Sequence, residues 1–119
     1  MPVVTVESLF PPDPEAVDRL LLEVPRAIAS AISCDAGDVW VYWHAVGAAC
    51  SGGQLRSFAD HSPVVTIRAR AWRTDDQVKR GMAAAAAAVA SSLGLPLEEV
   101  WVHWLELPPG RVYAGGGIR

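Results

Sequence analysis

The stretch PVVTI at residues 63–67 repeats PVVTV at residues 2–6 almost letter for letter. The two copies start 61 positions apart (63 − 2 = 61), and the same offset carries Val39-Trp40-Val41 onto Val100-Trp101-Val102 without a gap. Two copies are too few for a solenoid, which needs three or more stacked units. We therefore predict a single domain, residues 1–119, made of two tandem units at about 1–61 and 62–119.

Composition limits the class of protein. A chain of 119 residues that is 51% apolar and 19% charged can bury one compact core. Its net charge of −3 and the scatter of its ten Lys and Arg residues argue against a nucleic-acid partner, which needs a basic stripe. The longest apolar run, residues 81–90, is about half the ~20 residues that span a bilayer, so no membrane segment is expected. Cys34 and Cys50 lack metal-type spacing, and the start of the chain has no leader pattern, which favours a reducing cytoplasm.

Each unit reads as strand, helix, strand. The β-branched runs at residues 3–6 and 64–67 are typical of strands. Asp13 is a candidate N-cap, with Pro14 at the first helical position, and residues 74–77 (Thr-Asp-Asp-Gln) form a predicted capping box. Pro25 is expected to bend the first helix or to break it after Val24.

Apolar residues recur at helical spacing in both units and should cover one face of a sheet. The two stripes are Val17, Leu21, Val24, Ile28 and Ile32, then Val78, Met82, Ala85, Val89 and Leu93. The expected fold class is α+β, with duplicated β-α-β units that form a four-stranded mixed sheet with two helices on one face. Strands within a unit should be parallel, joined by a right-handed crossover, and the two units should pair across the middle of the sheet.

The closing strand of each unit is bulky on both faces. In the first unit, Trp40, Tyr42 and His44 alternate with Val39, Val41 and Trp43, as side chains of a strand do. Two helices can cover only one face of the sheet, so the second apolar face must be buried against something else. This predicts an oligomer.

These features together resemble the tautomerase superfamily. The resemblance rests on the initiating Met1-Pro2, the short β-α-β unit, and the stretch Arg73-Thr74-Asp75-Asp76-Gln77 that follows a strand. A single-unit 4-oxalocrotonate tautomerase resembles one half of the chain, and the fused, double-length branches resemble the whole. The second half is most similar to cis-3-chloroacrylic acid dehalogenase and its relatives, through Arg70-Ala71-Trp72-Arg73 and residues 101–108. The resemblance implies a homotrimer that acts on a small carboxylate substrate without a cofactor or a metal.

The resemblance also implies a set of site residues. Removal of Met1 would leave Pro2 with a free secondary amine, a base whose pKa an apolar pocket or nearby guanidinium groups would lower. Arg70 and Arg73 would hold the carboxylate of a 2-keto or dienol acid and stabilise the enolate during keto–enol tautomerisation. The implied substrate-binding residues are Trp101, His103 and Tyr113.

The two units differ in the residues that matter for this chemistry. Pro63 copies Pro2 but is an amide inside the chain, so it cannot act as a base. The first unit has Leu9 and Pro12 where the second has the two arginines. The resemblance therefore implies that the amine comes from one unit and the carboxylate clamp from the other.

Departures from the family pattern leave alternatives open. Relatives that hydrate or dehalogenate haloacrylates use a carboxylate where this chain has Ala114, a first-helix histidine that residues 14–32 lack, and a tyrosine where His103 stands. Single-unit tautomerases carry an arginine at the position of Trp101, so an apolar or aromatic substrate tail is expected. The alternatives are a hydratase or dehalogenase of the same superfamily, a non-catalytic member if Met1 is retained, and a ferredoxin-like ligand-binding module.

Overall fold

The computed structural model describes residues 1–119 and contains two long helices and eight strands. In chain order the elements are β1 (Val3–Leu9), α1 (Ala16–Ile32), β2 (Trp40–Val46), β3 (Ala49–Ser51), β4 (Gln54–Arg56), β5 (Val64–Arg70), α2 (Asp75–Leu93), β6 (Trp101–Leu107), β7 (Tyr113–Ala114) and β8 (Gly117–Ile118).

The four long strands form one mixed sheet in the order β2-β1-β5-β6. β1 runs parallel to β2, β5 runs parallel to β6, and the two pairs meet where β1 and β5 are antiparallel. The core lies between this sheet and the two helices, which pack on one face. The predicted fold, duplicated β-α-β units in a mixed sheet with two helices on one face, is confirmed.

The two prolines that begin the repeated stretches have the same place in the sheet. The carbonyl of Pro2 accepts a 3.0 Å hydrogen bond from the Trp40 N–H, and the carbonyl of Pro63 accepts one of 3.0 Å from the Trp101 N–H. Proline has no N–H to donate. At the start of a strand it contributes only its carbonyl to the hydrogen-bond ladder of the sheet, so the missing donor does no harm there. This shared register, offset by 61 residues, supports our proposal that the two units are tandem copies.

The core is built from the inward side chains of the central strands and one stripe of each helix. Val4 and Val6 of β1 and Val65 and Ile67 of β5 are fully buried. The helix residues that pack over them are Ala16, Leu20, Val24, Ile28, Ala29 and Ile32 of α1 and Ala85, Val89 and Leu93 of α2.

The helix starts agree with the sequence prediction in one unit only. α2 has the expected capping box: the Gln77 N–H donates to Thr74 Oγ1 (3.2 Å), and the Thr74 N–H donates to Gln77 Oε1 (3.0 Å). α1 begins at Ala16 with Glu15 as its N-cap, so the prediction of Asp13 as the N-cap is wrong. The Asp13 carboxylate instead accepts the Glu15 N–H at 2.9 Å and closes a turn that precedes the helix.

α1 continues through Pro25 to Ile32, so the expected break after Val24 does not occur. Proline removes one N–H donor and crowds the preceding turn, at a cost of about 3 kcal/mol. Val24 and Ile28, on either side of Pro25, are fully buried against the sheet. Burial of each such side chain is worth about 1.5–3 kcal/mol, which offsets that cost.

Gly81 lets α2 approach its neighbours closely. A Cβ atom at this position would lie 2.9 Å from Trp104 Cζ3 and 3.0 Å from Ile32 Cγ2. Only a residue without a side chain fits there. The alanine run that follows extends the same close packing, with Ala85 fully buried.

The sheet face away from the helices is uncovered in the single chain, and its two edge strands, β2 and β6, carry large exposed apolar side chains. Trp40, Tyr42, Trp101 and Leu105 are all at least two-fifths exposed, whereas Trp43 and Trp104 pack against the core. The predicted alternation of β2 is thus confirmed. We call the exposed side, defined by these four residues, the open face. Neither helix is both long and apolar enough to cross a membrane.

Candidate active site

A pocket of about 360 Å³ lies at the end of the sheet where β1 begins and β5 ends. Most of its wall is apolar, and its charged residues are all arginines. The lining residues are Met1, Val3, Arg68, Ala69, Arg70, Leu107, Val112, Ala114, Gly115 and Arg119.

The antiparallel pairing of β1 with β5 creates this pocket. Val3 pairs with Arg68, so the start of the chain lies beside the last residues of β5. Met1 lines the pocket and is 57% exposed, while the ring of Pro2 is buried behind it. The Met1–Pro2 peptide bond therefore lies at the pocket wall, next to the strand that carries Arg70.

Three arginines line the pocket, and none of them forms an ion pair with an Asp or Glu side chain. Arg68 and Arg70 lie on the same side of β5, because Ala69 between them points into the core and is 1% exposed. Arg119 joins them from the end of the chain. None of the three takes part in an ion pair, and no acidic residue lines the pocket. The site is therefore suited to bind an anion.

A short hairpin brings Arg119 to the pocket. β7 and β8 are joined by Gly115 and Gly116, whose φ angles of 60° and 80° are typical of a type I′ turn. The Arg119 N–H donates to the Val112 carbonyl, and the Arg119 carbonyl accepts from the Gly110 N–H, both at 2.7 Å. The hairpin thus fixes the backbone of Arg119 against the pocket wall.

The structure does not bring Arg73 into the pocket with Arg70. The Arg73 guanidinium carbon lies 4.2 Å from the centre of the Trp72 ring, in a cation–π contact. Its Nε and Nη1 atoms are buried and have no hydrogen-bond partner. Trp72 lines a second groove of about 330 Å³ that shares Arg70, Leu107 and Arg119 with the pocket. Arg73 therefore lies against Trp72 and lines neither cavity, and two of its buried donors have no partner in the single chain.

The three residues expected to contact substrate lie outside the pocket of their own chain. Trp101 and His103 are on the open face of β6, where the Trp101 indole N–H donates to His103 Nδ1 at 3.2 Å. The other ring nitrogen of His103 then donates to Thr66 Oγ1, at 3.0 Å. Tyr113 is 72% exposed and points away from the pocket that its neighbours Val112 and Ala114 line.

The opposite end of the sheet holds the counterpart of the pocket in the other unit. There Glu7 and Leu9 occupy the positions that correspond to Arg68 and Arg70, and the cavity is only about 180 Å³. His61 partly fills this end: its Nε2 lies 2.9 Å from Ser8 Oγ and accepts the Leu9 N–H at 3.3 Å. This end therefore lacks the basic charge of the first, and His61 has a structural role.

Arg68 and Arg119 are the pocket residues that sequence reasoning missed. The alternation of a strand would have placed Arg68 beside Arg70, whereas Arg73, three residues on, falls beyond the strand end. No local pattern points to Arg119. Its position depends on the Gly115-Gly116 turn, which reverses the chain onto β5.

Comparison with known proteins identifies the fold. No protein-family profile matches the chain, and no curated protein matches it. A wild-type fused 4-OT in an asymmetric trimer is 24% identical, with a TM-score of 0.88 over 98% of this chain and 94% of that one. The macrophage migration inhibitory factor of Toxoplasma gondii is 20% identical, with a TM-score of 0.79 over 98% of this chain and 99% of that one.

A third structure, N1, a member of the cis-3-chloroacrylic acid dehalogenase family, is 23% identical, with a TM-score of 0.78 over 98% of this chain and 82% of that one. All three likenesses extend over nearly the whole chain, so both units and the junction between them are included. The chain therefore has the fold of the fused 4-OT structures, which confirms the expected fold of the tautomerase superfamily.

Proposed function

We propose that this protein is a cofactor-independent tautomerase of the tautomerase superfamily, with Pro2 as its general base after removal of Met1. The observation that carries the proposal is that Met1 lines the same pocket as Arg70. Loss of Met1 would leave the Pro2 nitrogen, now a secondary amine, at the pocket wall. The buried ring would hold this nitrogen in place.

The proposed reaction is proton transfer within a 2-keto or dienol carboxylic acid. The neutral Pro2 amine removes a proton from the carbon next to the carbonyl, and the electron pair of that C–H bond forms the enolate. The protonated amine then returns the proton to oxygen, or to the far carbon of a conjugated dienolate. Ketonisation of an enol is the reverse: the amine removes the enol O–H proton, and the protonated amine delivers it to carbon. Nearby guanidinium groups lower the pKa of the amine, because they disfavour its charged form.

Arg70 is the proposed ligand of the substrate carboxylate. It lines both the pocket and the adjoining groove, and a guanidinium group binds a carboxylate through two parallel hydrogen bonds. Arg73 lines neither cavity, and its unpartnered Nε and Nη1 are buried, so of the two predicted arginines we assign only Arg70 to the carboxylate. Arg70 also stabilises the negative charge of the enolate.

Tautomerisation suits this pocket better than hydration or dehalogenation. Those reactions need a base that activates water, and no Asp, Glu or His of the same chain lines the pocket. Ala114 lines the pocket at the position where the resemblance implies such a carboxylate. Proton transfer within the substrate needs only the amine and the cations.

We further propose a homotrimer in which the open face is the subunit interface. Four large apolar side chains are exposed on the two edge strands of this face, and exposed apolar side chains of this size mark interaction surfaces. Structures with the same fold include fused 4-OT trimers. In such an assembly Trp101 and His103 lie against a neighbouring copy, and their predicted substrate contact would be made across the interface.

The test is ketonisation of 2-hydroxymuconate and of the enol of phenylpyruvate. The native protein should catalyse at least one of the two reactions, and an N-terminal extension should abolish it because the extension converts the Pro2 amine into an amide. Pro2→Ala should lower kcat/KM by about 10²-fold, the usual contribution of a positioned base. Pro63→Ala, the same change at the equivalent strand start, is the control and should keep most of the activity. Full activity of the extended protein would contradict the proposal.

A further inference from the structure

We propose that Glu7 and His44, together with the same residues of two neighbouring copies, bind one divalent transition-metal ion on the threefold axis of the trimer. The inference rests on the homotrimer of the proposed function, in which the open face is the subunit interface. The ion has a structural role: it links the three chains and takes no part in the proposed proton transfer.

Glu7 and His44 lie side by side on the open face. Their Cα atoms are partners in the parallel pairing of β1 with β2. Val6 and Trp43, the residues before them, pack against the core, so both side chains point to the opposite face of the sheet. Both residues are exposed, and neither forms an ion pair with the other or with any other residue. The carboxylate and the imidazole are therefore free to bind an ion.

One chain alone cannot complete the site. It contains no group of three or more His, Cys, Asp and Glu side chains that could hold a metal ion. A closed ring of three copies places equivalent residues at the same height around one axis. Glu7 is on a central strand of the sheet, so it faces this axis when three open faces close into a ring. Three pairs then supply three imidazole nitrogens and three carboxylate oxygens, more than the four ligands that Zn²⁺ usually takes.

The same ring collects negative charge that a cation would balance. Three copies of Glu7 bring three carboxylates to one end of the axis. In the second unit, Arg68 and Leu105 stand at the positions of Glu7 and His44, and Arg68 pairs with Val3 at the other end of the open face. The positive charge of the arginine is therefore remote from the carboxylates. Imidazole nitrogens beside carboxylate oxygens favour Zn²⁺ over Mg²⁺ and Ca²⁺, which prefer oxygen ligands alone.

Isothermal titration calorimetry of the untagged protein with Zn²⁺ tests the inference. The wild type should bind one ion for every three chains, since three copies share the site. His44→Ala and Glu7→Gln should each weaken binding by about 10²-fold or more, because the symmetry removes three ligands at once. Glu106→Gln, the same change at an exposed carboxylate on the helix side of β6, is the control and should keep the affinity of the wild type.

Two further samples separate the proposed site from other causes of binding. Cys50→Ser should bind Zn²⁺ with unchanged affinity and stoichiometry, although Cys50 is an exposed thiol. Light scattering in EDTA should show the same assembly for every variant, so that a loss of affinity reports the loss of ligands.

The inference would be overturned by absence of Zn²⁺ binding, by one ion per chain, by loss of binding in Cys50→Ser, or by full affinity of either His44→Ala or Glu7→Gln. A trimer that binds no Zn²⁺ would refute it and leave the proposed reaction untouched. One Zn²⁺ per three chains in a protein without tautomerase activity would uphold it and refute the proposed function, so the two can fail separately.

Discussion

Val3 of β1 pairs with Arg68 of β5 across the antiparallel junction between the two units. The start of the first unit and the arginines of the second meet only because of this pairing. The equivalent junction at the other end brings Val64 beside Glu7, so that end lacks the cations. A pocket with both the amine and the arginines can therefore form once in each chain.

This junction sets the expected pH dependence of the proposed reaction. The Arg68 guanidinium group should lower the pKa of the Pro2 amine, because a nearby positive charge disfavours protonation. Arg68→Ala should therefore raise that pKa and move the acid limb of the kcat/KM profile to higher pH. The profile of Arg111→Ala should match that of the wild type. A shift of the Arg68→Ala profile towards lower pH would contradict the proposed environment of the amine.

Gly81 should be intolerant of even a methyl group. In an exposed helix, Gly→Ala stabilises by about 1 kcal/mol, but here the added Cβ meets the Trp104 ring at 2.9 Å. Overpacking of this kind costs about 1–3 kcal/mol, so we expect Gly81→Ala to lower the free energy of unfolding. Urea denaturation followed by circular dichroism measures the change.

A double-mutant cycle locates the cause of that loss. Trp104→Phe removes the ring atoms nearest to Gly81, so Gly81→Ala should lower the free energy of unfolding by less in the Trp104→Phe background than in the wild type. Some of the loss should remain, because Ile32 Cγ2 also lies 3.0 Å from the added Cβ atom. Strictly additive effects would show that the ring is not the obstacle.

The C-terminal ends of the two helices predict a stabilising substitution. Ser33 ends α1 with φ of 58°, and its equivalent in the second unit, Gly94, ends α2 with φ of 67°. A non-glycine residue is strained in this conformation, so Ser33→Gly should raise the free energy of unfolding by about 0.5–1 kcal/mol. The converse change, Gly94→Ser, should lower it by a similar amount. Thermal unfolding of the two variants should therefore shift in opposite directions.

The proposed homotrimer predicts that a charge on the open face will disrupt the assembly. Trp101→Glu should give a smaller species by size-exclusion chromatography with light scattering, because a buried, unpaired carboxylate is unfavourable at an interface. Trp72→Glu is a matched control: Trp72 is 63% exposed, as against 64% for Trp101, but lies beyond the end of β5. Dissociation of both variants, or of neither, would refute this choice of interface.

The fold was predictable from the sequence because local and repeated signals agree. The offset of 61 residues predicts the four long strands and the two helices, but not the short β3-β4 and β7-β8 hairpins. The alternation of Trp40 with Val41 identifies the two faces of β2. The expected break at Pro25 does not occur, because the local cost of the proline is outweighed by burial of its neighbours. Leu20 was missed because it begins a run of three leucines, in which periodicity alone does not select the buried one.

The candidate site was only partly predictable. The positions of Pro2 and Arg70 follow from strand ends, which the sequence indicates well. Arg119 contacts Val112 and Ala114 within a local hairpin, but the position of that hairpin beside the end of β5 is set by tertiary packing. Trp101 and His103 lie on the open face, where the substrate contact that we propose would need a neighbouring copy.

The central claim, a free Pro2 amine in the pocket, is tested most directly by intact-mass analysis before and after treatment with 2-oxo-3-pentynoate. A protein of the same fold, Pt0534, is inactivated by this compound, whose activated alkyne adds to neutral amines. The account predicts a chain that lacks Met1 and gains one adduct, located by peptide mapping on Pro2. A chain that retains Met1 and gains no adduct at its N-terminus would contradict it.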